Sequence, residues 1–329
     1  MEIVPPRHRD WLYNARLRAG VFLLATGIGG CALLAPQTVE LSQTRPAGLP
    51  ERIEHSGVPF FPQSEYQCGP AALATVLANS GVKVSPEDLV EQVYLPGRKG
   101  SLQVEMLAAP RRYGMVSYQL RARFEDLLRE IAAGHPVVVL QDYGVWPFTL
   151  WHYAVVVGYD YEAGEVVLRS GEKHRLAMPF AVLEYTWKES DYWAMVVLPP
   201  GRLPVTAVEE RYLPAVTAMA RVAGPHAAES AYEAFLGRWP DNLGAGVGLA
   251  NARHAQKKFP QAEAVLRPLA ERHPQSVVVL NNLAQTLSDE GRNDEALQWI
   301  ERAAALGGPL STAVQETREL ILRRIEDRR

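Results

Sequence analysis

Cysteine is almost missing from this chain. Two of 329 residues are cysteine, Cys31 and Cys68, so a disulfide-stapled scaffold is excluded. Charge of one sign is missing too. The net charge of −3 leaves no basic footprint for nucleic acid. Near the amino terminus the apolar stretch Val21 to Ala25 is too short to span a bilayer. No grouping of His, Cys, Asp or Glu has the spacing of a zinc site, and no phosphate-binding loop occurs. No metal or other cofactor is therefore expected. What remains is an ordinary globular composition, 47% hydrophobic and 22% charged, in a chain long enough for two domains with sizeable cores.

The amino terminus reads as a processing signal. Arg7, Arg9, Arg16 and Arg18 precede the short apolar stretch, and Gly27-Ile28-Gly29-Gly30-Cys31 follows it. That pattern resembles a bacterial lipobox. It implies removal of residues 1–30 and lipidation of Cys31. Ala32 and Leu33 carry no acidic retention signal, so the expected location is the periplasmic side of a membrane, the outer one rather than the inner. With Cys31 lipidated, Cys68 has no disulfide partner. Residues 31–54, polar with scattered prolines, read as a tether.

Gln63-Ser64-Glu65-Tyr66-Gln67-Cys68-Gly69-Pro70 is the stretch with chemistry in it. Pro70 suits a first helical turn, and Ala71 to Asn79 is a strong helix former stopped by Gly81. Cys68 thus falls at a helix start, where free N–H groups and the helix dipole favour a thiolate. A lone cysteine is more often a buried, inert core residue. The helix-start position and a distant strand histidine argue for a nucleophile instead. Gln63 can offer a side-chain N–H to an oxyanion.

Further helices are expected after Ser85-Pro86, after Ser101 (ended or kinked at Pro110), and over Phe124 to Ala133. Strands are expected over Met115–Leu120, Pro136–Leu140, Trp151–Tyr159, Glu165–Leu168 and Trp193–Leu198, with Asp160–Gly164 as a hairpin loop. The run Glu172 to Arg175, with His174, reads as solvated surface. His152 opens a strand, His152-Tyr153-Ala154-Val155-Val156-Val157. Trp146 and Trp151 nearby fit either core or cleft wall. The fold class is α+β: helices first, then a mostly antiparallel sheet.

With Gln63, Cys68-Gly69-Pro70-Ala71 and the His152 strand in this order, residues 55–200 resemble the papain-like cysteine peptidases. More closely, they resemble the peptidases that cleave double-glycine leaders from bacteriocin precursors. The resemblance implies Cys68 as nucleophile, His152 as base and Gln63 as oxyanion donor. Two departures stand out. The family's glutamine lies six residues before its cysteine, whereas Gln63 lies five before, with Gln67 adjacent to Cys68 as a substitute. The family's aspartate, in an Asp-Pro pair, is replaced here by Leu168-Arg169-Ser170-Gly171. Ser170, Asp160 or Asp142 remain as candidates to orient His152.

Pro199 to Pro204 marks a boundary, with a linker over 201–213. Beyond it a period of 34 emerges. Trp239-Pro240-Asp241 returns as His273-Pro274-Gln275, Leu249-Ala250 as Leu283-Ala284, and Ala262 as Ala296. That period is the tetratricopeptide signature. It predicts an all-α repeat domain over 214–329, with a degenerate first repeat and a charged cap from Ser311. Such repeats bind peptides or protein partners. The expectation is a lipid-tethered cysteine peptidase acting on a peptide or protein, with the repeats docking substrate or partner. A non-cleaving peptide-binding scaffold, or amidase or transpeptidase chemistry at the same site, are the alternatives. A combination of lipobox, such a domain and such repeats resembles a group of proteobacterial lipoprotein cysteine peptidases.

Overall fold

The computed structural model describes residues 35–63, 67–145 and 147–328. The signal stretch, Cys31 and Trp146 lie outside the described residues. Helices α1 Pro36–Gln43, α2 Cys68–Asn79, α3 Pro86–Val93, α4 Gln103–Arg112 and α5 Phe124–Ala132 precede or flank the sheet, and α6 Phe180–Trp187 joins its last two strands. The strands are β1 Arg52–Glu54, β2 Val116–Gln119, β3 Val137–Asp142, β4 Trp151–Asp160, β5 Glu165–Ser170, β6 Lys173–Pro179 and β7 Ala194–Leu198. They form one sheet in the order β2-β7-β3-β4-β5-β6, with β1 pairing β4, and every pairing is antiparallel.

Alternation along the strands separates two cores. Val138 and Leu140 of β3 and Tyr153 and Val155 of β4 face α2, α3 and α4. Val137, Val139, Ala154 and Val156 face α5 and α6 on the other side. Both faces are covered, so these strands read as unbroken apolar runs. Helix α3 starts as its sequence predicts: Ser85 and Asp88 make a capping box, with Pro86 in the first turn. Helix α4 tolerates Pro110 two residues before its end. There the missing N–H costs one hydrogen bond rather than a turn.

One expectation is corrected here, and one strand is added. Residues 31–54, expected as a tether, are folded from Ala35 on. Buried Glu184 of α6 accepts N–H bonds from Gln37 (2.8 Å) and Thr38 (2.6 Å) at the start of α1. Leu41 and Leu49 join the core, and β1 pairs with the end of β4. The carboxylate that holds α1 comes from 146 residues away, beyond the reach of a local reading. The Glu172–Arg175 run is exposed, as its reading as surface expects, but it leads into β6, a strand that reading did not place. β6 is an edge strand, and edge strands carry exposed polar side chains.

The repeats follow as α7 Glu209–Ala223, α8 Pro225–Arg238, α9 Leu243–Ala255, α10 Phe259–Arg272, α11 Val277–Asp289 and α12 Asn293–Leu306. First helices begin at 209, 243 and 277 and second helices at 225, 259 and 293, so the period of 34 holds through all three pairs. Close packing needs small residues: a Cβ on Gly248 would lie 2.3 Å from the Tyr232 ring. Helix α13, Ser311–Glu326, caps the array and buries only Val314 and Ile321. The linker expected over 201–213 is shorter, because α7 already starts at Glu209. Thr206 is buried and gives its N–H (2.8 Å) and hydroxyl (2.6 Å) to the Glu130 carboxylate of α5. Tyr118 of β2 packs edge-to-face on Tyr212 of α7, with centroids 5.5 Å apart. The first repeat therefore shares its core with the α+β domain rather than hanging from it.

Candidate active site

Cys68 is the first residue of α2 and is half-buried. The helix is buried along almost its whole length, so its start is held rigidly against the end of the sheet. Backbone N–H groups of Tyr153, Gly69 and Cys68 itself converge on the sulfur. They favour the thiolate, yet burial outweighs them and pushes the thiol above its ordinary pKa. The helix start was expected to lower it. The correction is that loss of solvent exceeds the combined effect of these N–H groups.

His152 is the second residue of β4 and faces Gln141 across the β3 register. Burial pushes its pKa down to about 4, so the imidazole is neutral at pH 7. Its Nε2 lies 2.9 Å from Ser170 Oγ, and the Tyr143 ring stacks on it at 5.0 Å between centroids. Cys68 and His152 line the same cleft, with no hydrogen bond between them.

That cleft encloses about 1170 Å³. Gln63 lines it and gives its Nε2 to the Tyr153 carbonyl at 3.5 Å, a long contact. Gln67 precedes α2 and is not among the cleft residues. Of the three candidates to orient the histidine, Ser170 makes the contact. Asp142 spends one oxygen on the N–H groups of Gly144 (2.8 Å) and Leu150 (2.6 Å), closing the β3–β4 loop. Asp160 sits at the far end of β4, beside Arg52 at 3.7 Å and the Ala163 N–H at 2.9 Å. Leu102, Val104, Tyr143, Leu150 and Trp151 give the cleft one apolar side, all but Leu102 exposed, while Arg98, Lys99, Glu189 and Asp191 also line it. Trp151 is therefore wall rather than core.

Gly69 is fixed by close approach. A Cβ there would lie 2.6 Å from Ser101 Cβ and 2.2 Å from its Oγ. We expect Gly69→Ala to lower stability by about 1–3 kcal/mol through overpacking. Urea unfolding should show a lower midpoint with an unchanged slope. Adding Ser101→Gly should recover part of the loss.

Sequence reasoning missed Tyr143, which stacks on His152, and Gln141, buried opposite it on β3. One signal was available. In Val137-Val138-Val139-Leu140-Gln141 an amide ends an otherwise apolar buried strand, and such an amide needs a partner. Among the described residues no group of three or more His, Cys, Asp or Glu could hold a metal ion.

An antiparallel α+β domain with a cysteine at a helix start and a histidine on a strand, followed by paired helices of 34-residue period, defines the class. Residues 55–192 match the Peptidase_C39 like family, and residues 225–278 match the tetratricopeptide repeat. The chain thus has an antiparallel-sheet α+β domain of C39-like fold followed by a helical tetratricopeptide-like region. No curated protein matches the chain. Among solved structures it is similar to a Bacillus anthracis protein assigned as a C39-like peptidase (17% identity, TM-score 0.39, covering 45% of this chain and 98% of that one). It is also similar to the peptidase domain of Streptococcus ComA, a bi-functional ABC transporter involved in quorum sensing (19% identity, TM-score 0.36, covering 43% and 98%). A third is a double glycine motif protease from an AMS/PCAT transporter in complex with its leader peptide (20% identity, TM-score 0.33, covering 43% and 90%).

Proposed function

We propose that this protein is a cysteine peptidase. The observation that carries this reading is the convergence of Gln63 and Cys68, from one stretch, and His152, from a strand some 84 residues later, on one cleft. In the proposed reaction His152 Nδ1 takes the thiol proton and Cys68 Sγ attacks the substrate carbonyl. The oxyanion is received by the Gln63 side chain and the Cys68 backbone N–H. The imidazolium then protonates the leaving amine, and water hydrolyses the thioester. Nδ1 is the nitrogen for this work because Nε2 is committed to Ser170. Catalytic contacts of this kind often tighten only when substrate is bound, so the open Cys68–His152 contact in the free protein is compatible with the proposal. The apolar side of the cleft favours an apolar side chain in the part of the substrate that meets it.

The same proposal includes a lipid anchor at Cys31, a periplasmic location, the outer membrane before the inner, and a repeat region that docks substrate or partner protein. The raised thiol and the missing carboxylate favour a competing reading, a peptide-binding module that does not cleave.

Alkylation of Cys68 by iodoacetamide separates the two. At neutral pH the wild type should react more slowly than free cysteine, because burial raises the thiol, and the rate should climb above pH 9. A substrate-like peptide aldehyde should form a covalent adduct with Cys68 at pH 7. His152→Ala should lose the adduct while keeping the slow alkylation. Equal adduct formation in both proteins would overturn the peptidase reading.

A further inference from the structure

The first described residues lie at the cleft end of the sheet. β3 ends there at Asp142, β4 begins there at Trp151, and β2 ends there at Gln119, which lines the cleft. Ala35 is buried, and Gln37 is tied to the stretch that follows β2. The Gln37 side-chain carbonyl accepts the Phe124 N–H at 2.6 Å, and its Nε2 gives to the Ala122 carbonyl at 3.3 Å. From that start α1 runs away from the cleft. Its Leu41 carbonyl accepts from the Tyr161 hydroxyl at 2.6 Å, just past the far end of β4. Cys31 is four residues before Ala35, a reach of at most about 14 Å. That is short beside the ten residues of β4, about 33 Å of strand. A lipid on Cys31 would hold the cleft end, rather than the far end, toward a bilayer.

The same end carries a feature that the proposed reaction does not use. The turn between β3 and β4 exposes Val145 and Phe148, each 79% accessible, the highest values among the large apolar side chains described. Their exposure is built in. Asp142 holds the N–H groups of Gly144 and Leu150, the Tyr143 N–H bonds the Leu150 carbonyl at 2.9 Å, and the Phe148 N–H bonds the Val145 carbonyl at 2.8 Å. A Cβ on Gly144 would lie 2.0 Å from the Phe148 carbonyl oxygen, so the turn closes this tightly only around glycine. Leu150 and Trp151 line the cleft, whereas Val145 and Phe148 do not, so a segment bound in the cleft leaves the tip uncovered. From Tyr143 to Trp151 the sequence has no charged residue. The other end of β4 is the opposite in character, with Glu51, Arg52 and Glu162 exposed around Asp160. At the cleft mouth Arg98 and Lys99 are matched in number by Glu189 and Asp191, so no net charge selects an anionic surface. An apolar tip held rigidly in solvent marks an interaction surface, and an aromatic and aliphatic tip without charge suits the boundary of a bilayer.

We infer that the β3–β4 turn is a lipid-contact element, with Val145 and Phe148 dipping into the membrane surface and the cleft opening along it. A peptide would then reach Cys68 at the lipid surface. The direction of the tether rests on the lipid anchor proposed at Cys31. The contact of the turn with lipid does not.

The test uses the full chain with photoreactive benzoylphenylalanine in place of Phe148, irradiated with vesicles of neutral phosphatidylcholine. A control carries the same group in place of Val222, an exposed valine of α7. The protein–phospholipid adduct, read by mass, should be at least about tenfold more abundant at position 148 than at 222 and indifferent to salt, because apolar burial drives the contact. Val145→Asp should cut the adduct at 148 by about tenfold, because a carboxylate resists insertion, while Cys68 keeps its adduct with a soluble peptide aldehyde. No lipid adduct at 148, equal labelling at 148 and 222, or full labelling in Val145→Asp would overturn the inference. Capture of an added apolar peptide at 148 in place of lipid would also overturn it and make the turn a peptide subsite. Lipid labelling at 148 in a chain whose Cys31 is unmodified would overturn the anchor and leave the contact standing. Lipid labelling in a protein whose Cys68 forms no aldehyde adduct would overturn the peptidase reading and again leave the contact standing.

Discussion

Cys68→Ala should abolish peptide hydrolysis, lowering kcat by at least about 10⁴-fold. Loss of a nucleophile removes a covalent pathway rather than one contact, and the neighbouring N–H groups and cleft walls retain only binding. The fold should survive. Cys68 is small and half-buried at the first position of α2, at the edge of the core that the helix buries from Gly69 onward. Thermal and urea midpoints should stay within about 1 kcal/mol of wild type. The measurement is single-turnover cleavage of a quenched-fluorescent peptide library rich in apolar residues, with the adduct experiment in parallel. Cys68→Ser should be equally inactive, because a buried hydroxyl is a far weaker nucleophile at the same place. Undiminished cleavage in either variant would move the nucleophile elsewhere.

The second large effect is a pH dependence of stability written into His152. Its pKa falls from an ordinary 6.5 to about 4 on folding, because burial disfavours the charged ring. Below pH 6.5 the unfolded chain takes up a proton that the folded state refuses. Stability is therefore full above pH 6.5 and is lost as pH falls toward 4. The size is bounded by the shift itself, about 3 kcal/mol. Urea unfolding at pH 7.5 and pH 4.5 in wild type and His152→Gln reads it. The drop on acidification should be smaller in the variant by about 2–3 kcal/mol. A drop of the same size in both proteins would mean that His152 is not buried in this way. Cys68 adds nothing over this range, since its raised pKa acts only on the alkaline side.

Much of this was legible in residue order. Helices α2 and α3 announce themselves by Pro70, Gly81 and the Ser85–Asp88 capping box, all local signals. β3, β4, β5 and β7 are visible as buried apolar runs, because both faces of the sheet are covered. The period of 34 fixes the repeats, since each pair must present the same small residues to its neighbour. What stayed hidden has physical reasons as well. α1 looked like a tether because its cap, Glu184, comes from α6. β6 stayed hidden as a strand because its first residues, Lys173 to Arg175, are exposed and form no apolar run. The continuous core between the sheet and the first repeat depends on Tyr118 meeting Tyr212, which no periodicity encodes.

At the site the division falls in the same place. The sequence by itself determined the candidate side chains, a cysteine at a helix start, a strand histidine and an upstream glutamine. Those signals are short-range and survive as residue order. Tertiary structure decided their state. Burial, not the helix start, sets the Cys68 thiol high and the His152 imidazole low. The partner of His152 is a serine, and the Tyr143 ring, held by Gln141, stacks on the imidazole. Proton affinity and hydrogen-bond direction depend on everything within a few ångströms, and those neighbours come from β3 and β5, which only the folded chain brings together.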